Sequence, residues 1–557
     1  MSTEKNRWSG RMSRRAMLRA GMVSAVAVGL AGLVPRGGAR MEAHAAEVGP
    51  STGAARRDQA FQVREDAAQF QHQLPVATHP DNGDEALYPN KIGNYSKGLP
   101  HNDRGEVQLT AYDSLIQALS SGRPADFEAI QLGSPTPSRQ RKLVNPQAGL
   151  AFDLEGSDPH QFVIPPAPAF SSAQAAGEMV ELYWMALARD ISFTDYATNR
   201  TTRAAAAELS RLPDFRGPKT GGSVTPDILF SGFTAGDLVG PYISQFLWKP
   251  AEFGVEEITQ KFRALRPGTD YLTQYSDWLA SQNGVMPEQT VQFERERHFI
   301  QSGRDLAAYV HIDVLFQAYF NACLIMFELG VPFNAGNPYN RSATQDGFGT
   351  FGGPHAITIL SEVATRALKA VWYQKWFVHR HLRPEEFGGR VHNRLTGAAS
   401  YPLHPSVLNS RAAHEVFRQF GSYLLPQAFP EGCPLHPAYG AGHATVAGAC
   451  VTILKAFFNE SFVIPEPVVP GPGGHTLRPY TGPGADRLTV GGELNKLAAN
   501  VALGRNFAGI HWRADYTESV QLGEAVAISI LRDQRACYTE AFSGFTFTKF
   551  DGTTVTI

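Results

Sequence analysis

Cysteine is scarce in this chain, and neither sign of charge is in excess. Its four cysteines (Cys323, Cys433, Cys450 and Cys537) among 557 residues form no CxxC or mixed Cys/His spacing, which argues against a zinc or dithiol redox site. Cys323 and Cys450 lie in apolar, helix-like surroundings and read as core residues. The spacing permits one disulfide in an exported protein but does not name it. A formal net charge of −2 gives no electrostatic footprint for nucleic acid or for an anionic membrane surface. There is no short-period repeat. The uncharged stretch at residues 21–34 is too short for a good membrane span, so no stable membrane association is expected. What the chain has in quantity is glycine and proline, 53 and 37 residues, in a length able to bury one large core or two fused halves. Long ordered loops between helices are expected.

The first 46 residues stand apart. Ser13-Arg14-Arg15-Ala16-Met17-Leu18, the apolar stretch after it and the small residues Ala43-His44-Ala45 resemble a cleavable twin-arginine export signal. Such export carries a protein already folded, which suits an enzyme whose site is built first. Residues 47–170 read as an irregular arm with a short helix near 108–119. Helical periodicity marks 173–189, a segment beginning near Gly236 (Leu238, Ile243, Phe246), a long stretch at 305–329, then 357–378, 444–458, 493–508 and 522–531. A Gly- and Asn-rich loop at 334–354 excludes regular structure and suggests a pocket wall. Strand-like alternation is seen only at 545–557. The fold class is mainly α: two packed four-helix bundles, an N-terminal one over 171–335 and a C-terminal one over 336–557 that carries the site.

Three segments of the C-terminal half carry chemistry. The first contains Lys375, Trp376 and Arg383-Pro384; the second is His436-Pro437-Ala438-Tyr439-Gly440-Ala441-Gly442-His443; the third contains Arg505, His511 and Asp515. Arginine offers a permanently charged planar fork and lysine a point charge, the parts needed to hold a tetrahedral oxyanion. Lys375 and Arg383 are eight residues apart and share a face if one helix runs to Pro384, where it stops. Apolar neighbours place them in a half-buried segment, where unpaired cations are costly and a bound anion is favoured. Gly442 permits a sharp turn into a helix whose free N–H groups attract an anion. His443 is then positioned as an acid/base. Asp515, four residues beyond His511, is spaced to orient that imidazole as a metal ligand or nucleophile. Any one of these residues alone reads as a surface cation or a core histidine; the set does not.

The pattern resembles the vanadium-dependent haloperoxidases, which share a fold and oxyanion site with acid phosphatases of the type 2 phosphatidic acid phosphatase superfamily. The matching positions are Lys375, Arg383-Pro384, Gly442-His443, Arg505, His511 and Asp515, with further likeness at 181–190 and in the Gly/Phe loop ending at Pro354-His355. The Lys–Arg spacing and His436 before the turn are similar to the bromoperoxidase-type branch. The resemblance covers roughly residues 170–540, and its most similar members are exported bacterial enzymes of terpenoid naphthoquinone biosynthesis. It implies vanadate as cofactor, with His511 on the metal and Lys375, Arg383, Arg505 and the Gly442 amide on its oxygens. His443 would shuttle protons, with Lys375 and Asp515 also serving catalysis. Hydrogen peroxide, a halide and an electron-rich small molecule would be the reactants, and a homodimer the assembly. Phe348, Phe351, His355, Trp376 and His436 are expected to wall the pocket.

One position departs from the pattern. Ala441 stands where the family has serine, and Gly440 where it has proline. The missing hydroxyl removes a hydrogen bond to a charged oxygen worth about 1.5–3 kcal/mol, or roughly 10- to 100-fold in vanadate affinity. That opens a second reading: a vanadate-independent homologue catalysing an α-hydroxyketone (acyl-shift) rearrangement of a prenylated naphthoquinone. In it, His443 or His511 acts as acid/base, or carries a phosphoryl group (a phosphohistidine) in the vanadate position. An acid phosphatase with His511 as nucleophile and phosphate in the site is a third. A phosphate-binding scaffold explains the residues poorly.

Overall fold

The computed structural model describes residues 52–557; the twin-arginine motif therefore lies outside the described residues. We number the helices of seven residues or more from this point. The architecture is mainly α, and its centre is α11 (Gly442–Phe457), which packs against α8 (Gly353–Tyr373), α12 (Val490–Phe507) and α13 (Arg513–Arg535). Every residue of α11 except His443 is buried, as expected of a run of Ala, Val, Gly and Ile with no polar face. Helix α13 approaches α11 closely because glycines face backbone at the crossing. A Cβ on Gly523 would stand 1.9 Å from the Thr445 carbonyl oxygen, and one on Gly448 2.0 Å from that of Val520.

Around this core lie α1 (Gly53–Gln73), α2 (Leu109–Ser121), α3 (Ala173–Ala188), α4 (Arg200–Leu209), α5 (Tyr275–Gln282), α6 (Gly303–Tyr309), α7 (Gln317–Glu328), α9 (Pro384–Leu395) and α10 (Arg411–Phe420). Helix α3 is buried along nearly its whole length and packs on α4 and α10. Its last turns brace the two segments that later matter most. Glu181 forms a buried ion pair with Arg513 at the start of α13 (2.5 and 2.8 Å). Arg189 donates to the Phe507 carbonyl at the end of α12 (2.8 Å) and also pairs with Asp270. The likeness at 181–190 is thus scaffold, holding the helix ends from which Arg505 and His511 project.

Several expectations need correction. The supposedly irregular arm contains α1, a 21-residue helix with no buried residue; without an apolar stripe it left no periodic signal. The segment from Gly236 is not helical until a single 3₁₀ turn at Gln245–Leu247, because Gly236 and Gly240 take positive φ and Pro241 cannot donate. The long helix at 305–329 is two helices, α6 and α7, interrupted at residues 310–316. Pro384 starts a helix, α9, instead of ending one, its missing N–H costing nothing at the first position. The C-terminal hairpin forms (Thr546–Thr548 with Thr554–Thr556), but three further short two-stranded antiparallel sheets occur among the described residues, among them Ala251–Phe253 with Glu256–Ile258. All four cysteines are free.

The glycine crossing makes a direct prediction. Gly523→Ala, although alanine is worth about 1 kcal/mol more than glycine in a helix, is expected to destabilise by about 2 kcal/mol net because α11 and α13 must separate. Urea unfolding checks this; an unchanged or raised midpoint contradicts it.

Candidate active site

Helix α8 ends in a π-turn, Gln374–His379, followed by Arg380 at φ 38°. The chain then reverses, so Lys375 and Arg383 do not lie on one helix face as the spacing suggested. Lys375 projects from the π-turn and Arg383 from the extended residue that caps α9. They meet across the gap between the two helices. Glu386 fixes that cap. One carboxylate oxygen accepts from the Arg383 amide (2.8 Å) and the other from the amides of Ser96 and Lys97 in the arm (2.9 and 3.2 Å).

Lys375 is fully buried and donates to the carbonyls of Pro437 and Ala438 (2.8 and 2.9 Å). Arg383, also fully buried, donates through Nε to the His436 carbonyl (2.8 Å). Its Nη2 reaches His436 Nδ1 (2.8 Å), and its Nη1 His511 Nε2 (2.9 Å). Arg505, on the last turn of α12, donates Nη1 to the Val310 carbonyl (2.7 Å) while its Nε is buried without a partner. Among the described residues, none of these three cations has a carboxylate within ion-pair distance. The nearby acids act through histidines instead: His511 Nδ1 lies 2.5 Å from Asp515, and His443 Nε2 3.0 Å from Asp313.

The electrostatic consequences follow from burial and repulsion. Desolvation, then the Arg383 charge, pushes the Lys375 ammonium well below its ordinary range. Burial lowers Arg505 to about 10, with Arg383 adding to the shift and Asp313 opposing it. Burial beside these cations depresses His511 and His436 well below the usual imidazole range, so both are neutral near pH 7. Asp515 is raised by burial to about 6, with Lys375 opposing. With Asp515 accepting the Nδ1 proton of His511, the Nε2 lone pair points to the site. Burial would raise Asp313, but His443 and Arg505 hold it below its normal value.

The N-terminus of α11 completes the set. Its N-cap, Ala441, has no side chain to cap the first amides, which therefore remain open to an anion. The turn itself is held from behind, where the Ala441 amide donates to Ser519 Oγ (2.8 Å). Trp372 covers the front, its ring 4.8 Å from that of His436 and within 5.7 Å of Lys375 Nζ. A buried positive excess, an unpartnered Arg505 Nε and open helix amides fit a tetrahedral oxyanion. The donor set lacks the hydroxyl that serine would add at position 441.

Of the residues singled out from sequence, Lys375, Arg383, His436, Gly442, His443, Arg505, His511 and Asp515 come together. Four do not. Trp376 is buried on the far side of its turn, edge-on to Tyr95 at 5.8 Å. Phe351 and His355 sit at the opposite end of α8, His355 packing on Phe457 at 4.9 Å. Phe457 ends α11 and His443 begins it, a separation of about 20 Å at 1.5 Å per residue. Phe348 pairs with Phe351 in that distant loop, its side chain exposed. Asp313 and Trp372 were missed. Asp313 falls in what read as a helix interior, and Trp372 lies unremarked inside the helix expected over 357–378.

A buried oxyanion-binding site at the crossing of helices in an α-helical bundle defines the class. A family model described as the VCPO second helical-bundle domain matches residues 356–539. The chain is 35% identical over 589 aligned residues to the vanadium-dependent bromoperoxidase of Corallina officinalis, covering 89% of this chain and 98% of that protein. It is 34% identical to the vanadium-dependent bromoperoxidase of Ascophyllum nodosum, covering 89% and 91%. The solved homohexameric vanadate-dependent bromoperoxidase II of Ascophyllum nodosum matches with a TM-score of 0.84 and 32% identity over 98% of this chain and 95% of that one. The chain belongs to the vanadium-dependent haloperoxidase family, a family of oxidoreductases.

The depressed Lys375 ammonium gives a test with a definite sign. An anion in the site restores its protonated form, so binding takes up protons and weakens as pH rises. Sulfate does not titrate near neutrality. Calorimetry of sulfate binding in buffers of different ionisation enthalpy should show net proton uptake. Zero uptake would show that Lys375 is already charged in the free site.

Proposed function

We propose that this protein is a vanadate-dependent haloperoxidase that uses hydrogen peroxide to oxidise bromide or chloride and so halogenates an electron-rich organic molecule. The observation that carries the reading is the convergence of Lys375, Arg383 and Arg505, all buried without a direct carboxylate among the described residues, on His511 and the open amides of α11. Lys375, Arg383, Arg505 and the Gly442 amide would hold the oxygens of vanadate, and His511 Nε2 its metal. When bound, vanadate supplies a Lewis acid that polarises peroxide without changing oxidation state. The remaining work belongs to the chain. Asp515 fixes the His511 tautomer. Asp313 engages His443 Nε2, which leaves Nδ1 to exchange a proton with a reacting oxygen. The His443 side chain is 19% exposed while Lys375 is fully buried, so His443 links the site to solvent. Trp372 and His436 limit the water that reaches the cations.

For the organic substrate we infer a prenylated hydroxynaphthoquinone or a related meroterpenoid, on the family resemblance set out above. Export through the twin-arginine signal at residues 1–46 belongs to the same proposal, as does the division of the chain into an arm, an N-terminal bundle and a C-terminal bundle. We also infer a homo-oligomer, a dimer at the simplest; the Ascophyllum relative is homohexameric.

Ala441 favours a second reading. With no hydroxyl at the N-cap of α11, the same pocket suits a redox-neutral acyl shift in which His443 moves the proton and phosphate, free or carried on a histidine, neutralises the cations.

Halogenation of an electron-rich 1,3-dione separates the two. Turnover with peroxide and bromide or chloride, dependent on added vanadate, supports the haloperoxidase, and Ala441→Ser is then expected to tighten vanadate about 10- to 100-fold. No turnover by folded protein at saturating vanadate sinks that reading. Conversion of a prenylated hydroxynaphthoquinone to an isomer of equal mass, without peroxide or halide, establishes the other.

A further inference from the structure

The interruption between α6 and α7 holds more than Asp313. Over residues 310–313 the Val310 carbonyl accepts from Arg505 (2.7 Å), His311 Nε2 bonds Glu431 Oε1 (2.6 Å), and Asp313 bonds His443 (3.0 Å). The His311 ring also lies flat on Phe429, with centroids 3.6 Å apart and planes 8° from parallel. Phe429 and Glu431 belong to the segment that continues into His436, Pro437 and Ala438, where Arg383 and Lys375 find their acceptors. His311 therefore joins the two irregular segments that present the site's acceptors, and it does so by one bond and one stack. Nothing else described between residues 311–313 and 429–431 bonds them together. Ile312 on the same interruption is 72% exposed, so packing alone does not hold this stretch down.

We propose that His311, anchored by Glu431 and stacked on Phe429, is a positioning residue that holds residues 310–313 so that Val310 meets Arg505 and Asp313 meets His443. Its side chain bonds Glu431 and stacks on Phe429, and bonds none of Lys375, Arg383, Arg505, His443 or His511. Its effect passes through Arg505, whose guanidinium is set by the Val310 carbonyl, and through His443. Glu431 adds a second contribution, since its carboxylate, like that of Asp313, stabilises the Arg505 charge. Outer residues that orient the groups holding a metal or its oxygens commonly change affinity about 10- to 100-fold when lost.

The inference rests on the oxyanion-site reading, and its test keeps the two apart. His311→Phe keeps the stack and loses the bond to Glu431, whereas His311→Gln restores an N–H donor. Orthovanadate and inorganic phosphate are titrated calorimetrically into the wild type and both variants. Hydrogen–deuterium exchange is followed over 308–316 and 428–438. We expect His311→Phe to weaken anion binding about tenfold and to raise exchange in both segments, and His311→Gln to recover most of both effects. Wild-type affinity and exchange in His311→Phe would overturn the proposal. So would a His311→Gln variant as impaired as His311→Phe, because a restored donor to Glu431 would then not hold the two segments. If the wild type binds neither anion, the functional reading fails, and the exchange data alone decide whether His311 holds the two segments.

Discussion

The structure is organised around an electrostatic debt. Two guanidinium groups and one ammonium are buried together, and among the described residues no carboxylate pairs with any of them directly. Burying even one ion costs several kcal/mol after relaxation. The fold meets that cost with backbone carbonyls from residues 310, 436–438 and 510, and with acids set one residue back, behind histidines. Direct ion pairs would have been cheaper, and they are used freely where no anion is wanted. Glu181–Arg513 and Lys97–Glu385 are both buried and both close. Keeping carboxylates off Lys375, Arg383 and Arg505 preserves an attraction for a tetrahedral anion. Burial, with repulsion from the neighbouring cations added, lowers Lys375 and keeps His511 neutral, so His511 Nε2 is an acceptor, here facing Arg383 Nη1 at 2.9 Å.

Geometry serves that arrangement. Three of the chemical groups sit at helix ends: Arg383 at the cap of α9, His443 in the first turn of α11 and Arg505 in the last turn of α12. Lys375 projects from a π-turn, and His511 and Asp515 flank the start of α13. Helix ends converge only if the helices cross closely, which the glycines of α11 and α13 permit. The ends themselves are held by α3, through Glu181 and Arg189, and by the N-terminal arm, through Ser96 and Lys97 on Glu386. Residues far from the chemistry in sequence thus set its geometry, as preorganised sites require.

Much of the residue cluster was legible before the fold was. Lys375, Arg383, Gly442, His443, Arg505, His511 and Asp515 announce themselves because cations among apolar residues, a glycine before a histidine and an i, i+4 His–Asp pair have few other uses. The buried helices were equally plain, since their apolar runs are long. Three kinds of feature were not. Helix α1 carries no apolar stripe. The interruption at 310–316 hides inside an apolar pattern that suits a continuous helix, and with it went Asp313. The Gly/Phe loop looked like a pocket wall by composition, but it enters a 21-residue helix at the end away from Lys375, about 30 Å off at 1.5 Å per residue. Ala441 is the informative exception to the pattern: the turn is kept, braced by Ser519, while the hydroxyl is gone.

The central claim is that these cations, histidines and open amides form one site for a tetrahedral oxyanion. Crystals soaked in orthovanadate, with anomalous scattering recorded at the vanadium absorption edge, test it most directly. The account predicts a single strong peak at the N-terminus of α11, in contact with Lys375, Arg383 and Arg505 and bonded to His511 Nε2. A fully occupied peak elsewhere, or none in crystals where the site is open to solvent, would contradict it.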